Sequence, residues 1–368
     1  MNSIINNMTN NKIILEIILD KVFTSMATPN IALIKYWGKR NDKLILPYNS
    51  SISITLGDEL NTKTSIMFTN KIKEDMFYIN GKKQDLTDKE IKERFAIIDI
   101  MRKMANSDAK VLVVSENSFP TAAGLASSAS GISAMVFAAN AALGLNLDLK
   151  ELSIIARQGS GSSCRSLAGG FVKWEKGIKE DGSDSFIRQI KPSSHWPDLI
   201  NIIAIVSEDK KKVSSRSGMK QTVETSPLYK VRPEVAEERC NRLEEAILKK
   251  DFEEVAKITM QDSNTLHALM LDTYPPITYL TDVSKEIINA IHELNESKGN
   301  IIAAYTFDAG PNATIITLEK YKKEVLNALN KINGIKQIIE TKVGDGPKLL
   351  DNSHLINEDF LKKHEINI

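Results

Sequence analysis

Twelve consecutive residues, Pro120-Thr-Ala-Ala-Gly124-Leu125-Ala126-Ser127-Ser128-Ala-Ser-Gly131, carry a single large side chain, Leu125, and they join a strand pattern to a helix pattern. A segment with so little side-chain volume lets another surface approach the main chain. At the first turn of the helix that follows, N–H groups converge on one point and carry partial positive charge. Two readings are open: tight packing of a helix on a sheet, or a seat for an anion such as a triphosphate. Upstream, Ser51 to Leu56 alternates with period two and Lys110 to Ser115 does so in part, which predicts a strand-rich first third. Downstream, Ile132, Met135, Val136, Ala139 and Leu143 share one face of a helix over 127–143, stopped by Gly144. Asp148 followed by Glu151 is a capping box for a second helix, ended by Gly159 to Gly161.

The 48 basic residues nearly balance the 47 acidic ones, so no large field draws the chain to nucleic acid or an anionic membrane surface. Apolar runs such as Leu199 to Val206 are far shorter than the roughly 20 residues that span a bilayer. Two cysteines, Cys164 and Cys240, suit a reducing compartment and predict a cytoplasmic protein. No GxxxxGK[ST] or GxGxxG segment occurs, and the five histidines have no ligand spacing. The 368 residues allow two domains. The boundary is placed near residue 207, where a buried strand, Ile202 to Val206, gives way to a lysine-rich loop over Glu208 to Ser217. Helices are predicted at Pro233 to Lys249, Asp251 to Leu271 and Ile277 to Glu296, with strands at Ile301 to Thr306 and Ala313 to Leu318. The partition is an asparagine-rich extension (1–20) running toward a first strand at about Ile14 to Met26, two domains (21–207 and 208–350), and a tail (351–368).

Four further segments hold chemistry-bearing groups. Asn30-Ile-Ala-Leu-Ile-Lys35-Tyr36-Trp37-Gly38-Lys39-Arg40 is either a buried aromatic beside solvated lysines or a seat for an anionic substrate. Gly159-Ser160-Gly161-Ser162-Ser163-Cys164-Arg165-Ser166 is a polar loop or a carboxylate fork. Ser214-Ser215-Arg216-Ser217-Gly218-Met219 reads as a solvated loop or a phosphate clasp. Asp308, in Phe307-Asp308-Ala-Gly310-Pro311-Asn312, is turn chemistry or a functional carboxylate.

Together these segments resemble a known family. The Pro-x3-Gly-Leu-x-Ser-Ser-Ala loop is similar to the ATP loop of the GHMP kinase superfamily, and Asn-x4-Lys-Tyr-Trp-Gly-Lys resembles the diphosphomevalonate decarboxylases within it. The resemblance runs from about Phe23 to Leu349. It implies an α+β, two-domain GHMP kinase fold: an N-terminal ribosomal-protein-S5-like domain, a C-terminal α/β sandwich domain, and an active site in the cleft between them. It implies ATP-dependent decarboxylation of mevalonate 5-diphosphate, with Pro120, Ala123, Gly124, Leu125, Ala126, Ser127 and Ser128 on ATP and Ser128 near Mg2+. Asp308, Lys35, Arg165 and Ser128 would be catalytic, and Asn30 would orient Arg165 on the substrate carboxylate. Tyr36, Lys39, Ser160, Ser162, Ser215 and Arg216 would complete the substrate site. Ser163 stands where the family usually has Ala, and Ala168 where a larger aromatic often sits. Family members are commonly homodimers. The rivals are a monophosphate decarboxylase, a 3-kinase, and a non-catalytic ligand sensor.

Overall fold

The computed structural model describes residues 17–119, 127–209 and 211–368. The extension up to residue 16 and Pro120, Ala123, Gly124, Leu125 and Ala126 lie outside the described residues, as does the Ser127 side chain.

The first half runs β1 (Phe23–Ala27), β2 (Asn30–Ile34), β3 (Lys39–Asn41), β4 (Leu46–Pro47), β5 (Ser51–Thr55), β6 (Thr62–Thr69), β7 (Met76–Ile79), β8 (Lys82–Lys83), α1 (Lys89–Met104), β9 (Lys110–Asn117), α2 (Ser127–Ala142), α3 (Leu149–Gly159), a 3-10 turn (Gly161–Leu167), β10 (Phe171–Trp174) and β11 (Ile187–Lys191). The second half runs β12 (Leu199–Ile205), α4 (Ser215–Thr225), α5 (Arg232–Lys249), α6 (Phe252–Asp272), α7 (Asp282–Lys298), β13 (Ala303–Phe307), β14 (Ala313–Leu318), α8 (Lys322–Leu329), β15 (Gln337–Lys342), β16 (Lys348–Leu350) and α9 (Glu358–Lys363). Three larger sheets form, ordered β16-β1-β6-β9-β7-β8, β11-β10-β5-β2 and β13-β14-β12-β15. Every pair in them is antiparallel except β7 with β9.

Strand alternation explains the layers. Ile66 and Phe68 of β6, with Val111 and Val113 of β9, face α1 to α3 and pack on Phe95, Met101, Met135 and Ile155. The intervening Met67, Leu112 and Val114 point the other way, where Ile356 and Ile366 cover them. Residues 351–368, expected as a tail, therefore lie on the outer face of the first sheet, and β16 extends that sheet's edge beside β1. Ile356 and Ile366 are 4% and 8% exposed, and each contributes about 2 kcal/mol by burial.

A continuous core joins the second sheet to the third: Leu33, Ile52 and Ile54 share it with Ile202, Ile315, Leu243 and Val255. This common core fixes the two walls of the cleft. β12 pairs with β14 and β15, strands that follow it, so we propose that the chain crosses between halves before Leu199 and not at residue 207.

Two further differences from sequence have local causes. Ser214 accepts a hydrogen bond from Ser217 N at 3.1 Å and so starts α4 inside the segment expected to be a loop. The Thr281–Ser284 capping box starts α7 later than Ile277, which stays in the preceding irregular segment. The capping box at Asp148 and Glu151 forms as its spacing predicts.

Candidate active site

Lys35 lies just past β2 and projects across to the other half of the molecule. Its ammonium donates to Asp308 Oδ1 at 2.6 Å. Lys35 is 2% exposed while the Asp308 side chain is 37% exposed, so the pair opens on the aspartate's side. Asp308 sits in the turn between β13 and β14. Burial pushes its pKa upward, but the ammonium of Lys35, then Lys211 and Arg165, outweigh that and hold the carboxyl below its usual range. Asp308 is therefore an anion at neutral pH.

Arg165 projects from the 3-10 turn after α3 and is 3% exposed. Its Nε donates to Asn30 Oδ1 at 3.1 Å and its Nη1 to Ser51 Oγ at 2.8 Å. The Asn30 amide is itself fixed, since its Nδ2 donates to Ser162 O at 3.1 Å and Ser166 Oγ at 2.8 Å. Both acceptors on the fork are neutral, and Arg165 forms no ion pair among the described residues. Desolvation lowers its pKa as a result. A buried guanidinium held in place but not neutralised is suited to a ligand carboxylate.

The Tyr36 ring lies tilted against Trp174 with centroids 4.8 Å apart. It also rests on Gly161, where an added Cβ would come 2.6 Å from a ring carbon, so any larger residue there would displace the tyrosine. Lys39 Nζ donates to Asp42 Oδ1 at 2.7 Å. The hydroxyls of Ser160 and Ser162 stand 3.5 Å apart. Arg216, in the first turn of α4, reaches Glu93 of α1 and donates to Gly159 O at 3.4 Å.

These groups share one cleft of about 630 Å³. Lys35, Tyr36, Lys39, Ser128, Ser160, Ser162, Arg165, Ser215, Arg216 and Asp308 all line it, while Asn30 stands behind Arg165. Every site residue expected from sequence whose side chain is described is thereby placed at or directly behind one surface. Both departures from the family pattern are absorbed. The buried Ser163 hydroxyl lies 2.7 and 2.6 Å from the carbonyl oxygens of Ala156 and Ser160, and so tightens the end of α3. Ala168 is 5% exposed and belongs to the core of the first half together with Leu167 and Val172. Cys164 is fully buried, and desolvation pushes its thiol up to about 12, which removes it as a nucleophile.

Sequence reasoning missed Glu90, Glu93 and Arg94 on α1, Lys211 beside Asp308, and Asp262 and His267 on α6. One signal was available: Asp262 interrupts the apolar stripe Val255, Ile258, Leu266, Leu269, and a charge at a core position marks a paired or functional group.

Residues 27–187 match the family model for a diphosphomevalonate decarboxylase-like N-terminal domain, and residues 201–333 that for the mevalonate 5-diphosphate decarboxylase C-terminal domain. A diphosphomevalonate decarboxylase of Debaryomyces hansenii is 43% identical over 387 residues, spanning 94% of this chain and 100% of the relative. The mevalonate diphosphate decarboxylase of Trypanosoma brucei superposes with a TM-score of 0.84 at 35% identity, covering 92% of this chain and 100% of that one. MDDEF, in complex with MVAPP, AMPPCP and magnesium, superposes with a TM-score of 0.81 at 37% identity, covering 90% and 99%. With both family domains in order on one chain and a cleft that gathers the motif residues of each, the chain belongs to the diphosphomevalonate decarboxylase family.

Proposed function

We propose that this family member uses ATP to convert mevalonate 5-diphosphate into isopentenyl diphosphate, CO2, phosphate and ADP, in the cytoplasm and as a homodimer. The observation that carries the reading is the 2.6 Å Lys35–Asp308 contact, which brings a cation and an anion from the two halves to one point beside the Arg165 fork. Among the described residues no helix is long and apolar enough to cross a membrane.

The substrate's tertiary 3-hydroxyl is a poor leaving group, so it is phosphorylated first. Asp308 orients this hydroxyl toward the γ-phosphorus and accepts its proton as the new O–P bond forms and the bond from the γ-phosphorus to the bridging oxygen breaks, its electron pair leaving on ADP. A carboxylate held below its usual pKa is a weak base. Lys35 turning from Asp308 to the transferred phosphoryl group would restore that basicity as it offsets the phosphoryl charge. The C3–O bond then breaks with its electron pair leaving on phosphate, and positive charge builds at C3. Having passed its proton to the departing phosphate, the Asp308 carboxylate is again an anion and stabilises that charge. The C1–C2 pair becomes the alkene bond as Arg165, with Asn30 behind it, releases the carboxylate as CO2.

Tyr36, Lys39, Ser160, Ser162, Ser215 and Arg216 would seat the diphosphate end, and the segment Pro120 to Ser128 the nucleotide. Mg2+ keeps several waters and binds largely through substrate phosphates, and Ser128, which lines the cleft, would help hold it there. When bound, it would supply charge neutralisation at the β- and γ-phosphates.

CO2 release from mevalonate 5-diphosphate with ATP tests the reading, alongside mevalonate 5-phosphate. Asp308→Asn should abolish turnover while the protein stays folded. Equal turnover of the monophosphate, or ADP formation without CO2, would replace the reading with one of its rivals.

A further inference from the structure

Lys35 has no place in a sheet ladder, because the pairing of β2 with β5 ends at Ile34 opposite Ile52. Its main chain is held by an ion pair instead. Asp262 Oδ2 accepts from Lys35 N at 2.7 Å, and Arg232 Nη2 donates to Lys35 O at 2.9 Å. The two side chains are joined to each other, Arg232 Nη1 to Asp262 Oδ1 at 2.5 Å and Nη2 to Oδ2 at 3.0 Å. Both are fully buried in the ion pair, with 0% side-chain exposure. The next residue on α6, Ser263, accepts from Phe307 N at 2.9 Å, the residue before Asp308. One turn of α6 thus fixes the main chain at both ends of the 2.6 Å Lys35–Asp308 contact.

A fully buried Asp–Arg pair is a poor choice for stability alone, since apolar side chains of similar volume often do as well or better. Here the pair also supplies the donor and the acceptor that the missing ladder would have provided. A lysine side chain has four rotatable bonds, so any play at its Cα is passed on to the ammonium.

We propose that Asp262, with Arg232, is a positioning pair for the reaction: it acts through Lys35, fixing where the ammonium meets Asp308 and the transferred phosphoryl group. The inference rests on the reading of Lys35 given above. A misplacement of about 1 Å at a reacting group costs on the order of 100-fold in rate, which sets the scale of the expected effect.

The test is a double-mutant cycle on single-turnover CO2 release with ATP and mevalonate 5-diphosphate. Asp262→Asn should lower the rate about 100-fold in the wild-type background with KM within about threefold. In a Lys35→Met background the same substitution should cost no more than about threefold, because there is no ammonium left to misplace. Equal losses in the two backgrounds, or a loss carried by KM alone, would overturn the proposal. Asp262→Glu keeps the charge and moves the clamp by one methylene; it is run through the same cycle, with the same deciding outcomes, where Asp262→Asn does not fold. Wild-type turnover in the same assay reports on the functional reading, and the ratio between backgrounds reports on the positioning pair, so the two fail separately.

Discussion

Arg165 and Arg232 are both buried, at 3% and 1% exposed, and they differ in what their charge meets. Arg232 faces a carboxylate inside the protein. Desolvation would lower its pKa, but Asp262 more than compensates and the net shift is upward. Arg165 faces an amide and a hydroxyl, and there desolvation wins. Two equal burials thus give opposite electrostatic outcomes. An arginine neutralised by its own chain is part of the scaffold, whereas one held only by neutral oxygens keeps its charge for a ligand.

The sharpest way to break this distinction is to remove each guanidinium in turn. Arg165→Met should lower kcat/KM by about 100- to 1,000-fold, the usual cost of deleting one preorganised donor to a reacting group. It should leave the thermal midpoint unchanged or higher, because a buried, uncompensated charge is lost. A calorimetric scan beside the CO2 assay checks both parts. Arg232→Met should do the reverse to the fold: it leaves the buried Asp262 carboxylate with Arg239, 3.2 Å away, as its remaining ion-pair partner, and costs about 3 kcal/mol in urea unfolding. Were the two variants to lose stability alike, the separation into scaffold and ligand charges would be wrong.

His267 on α6 sharpens the comparison from a third side. It is 8% exposed, and burial, reinforced by the Lys35 ammonium and partly offset by Asp308, pushes its pKa from 6.5 down to about 4. The wall behind Lys35 accepts no further positive charge. Because the unfolded chain binds this proton at a higher pH than the folded one, stability contributed here is complete above pH ~6.5 and is lost as pH falls toward ~4. The loss is about 3 kcal/mol and levels off below that. Unfolding free energies measured between pH 7 and 4 should show this slope in the wild type and a shallower one in His267→Gln. Identical slopes would mean that the imidazole takes up its proton over the same pH range in the folded and unfolded protein.

The residues gathered at the cleft were readable in sequence because they stand in continuous segments: Asn30 to Arg40, Gly159 to Ser166, and Phe307 to Asn312. The groups that hold them were not. Asp262 is 227 residues from Lys35 and Glu93 is 123 from Arg216, and no periodicity links such positions. The capping box of α3 was legible for the same local reason. The pairing of β16 with β1 and the packing of 351–368 on the first sheet depend on long-range contacts between short apolar stretches that look like loop in isolation. The apolar run of β9 was a partial clue, since a strand of this kind is buried on both faces.

Arg216 completes the series as an intermediate case. Its side chain is 37% exposed and its partner Glu93 43%, so this is an ion pair open to solvent, unlike the one at Arg232. Exposed pairs are worth about 0.2 to 1 kcal/mol, little enough for a phosphate to displace the carboxylate. Glu93 would therefore hold Arg216 in place between turnovers and compete weakly with the diphosphate for it. Glu93→Gln should lower KM for mevalonate 5-diphosphate about two- to fivefold with kcat unchanged, a change equal to at most about 1 kcal/mol. Salt screens such a pair, so the gain should shrink as ionic strength rises. Steady-state kinetics at two salt concentrations measures both effects. A KM that rises in Glu93→Gln would show that the carboxylate prearranges Arg216 for the substrate and does not compete with it, which would move Arg216 toward the Arg165 end of the comparison.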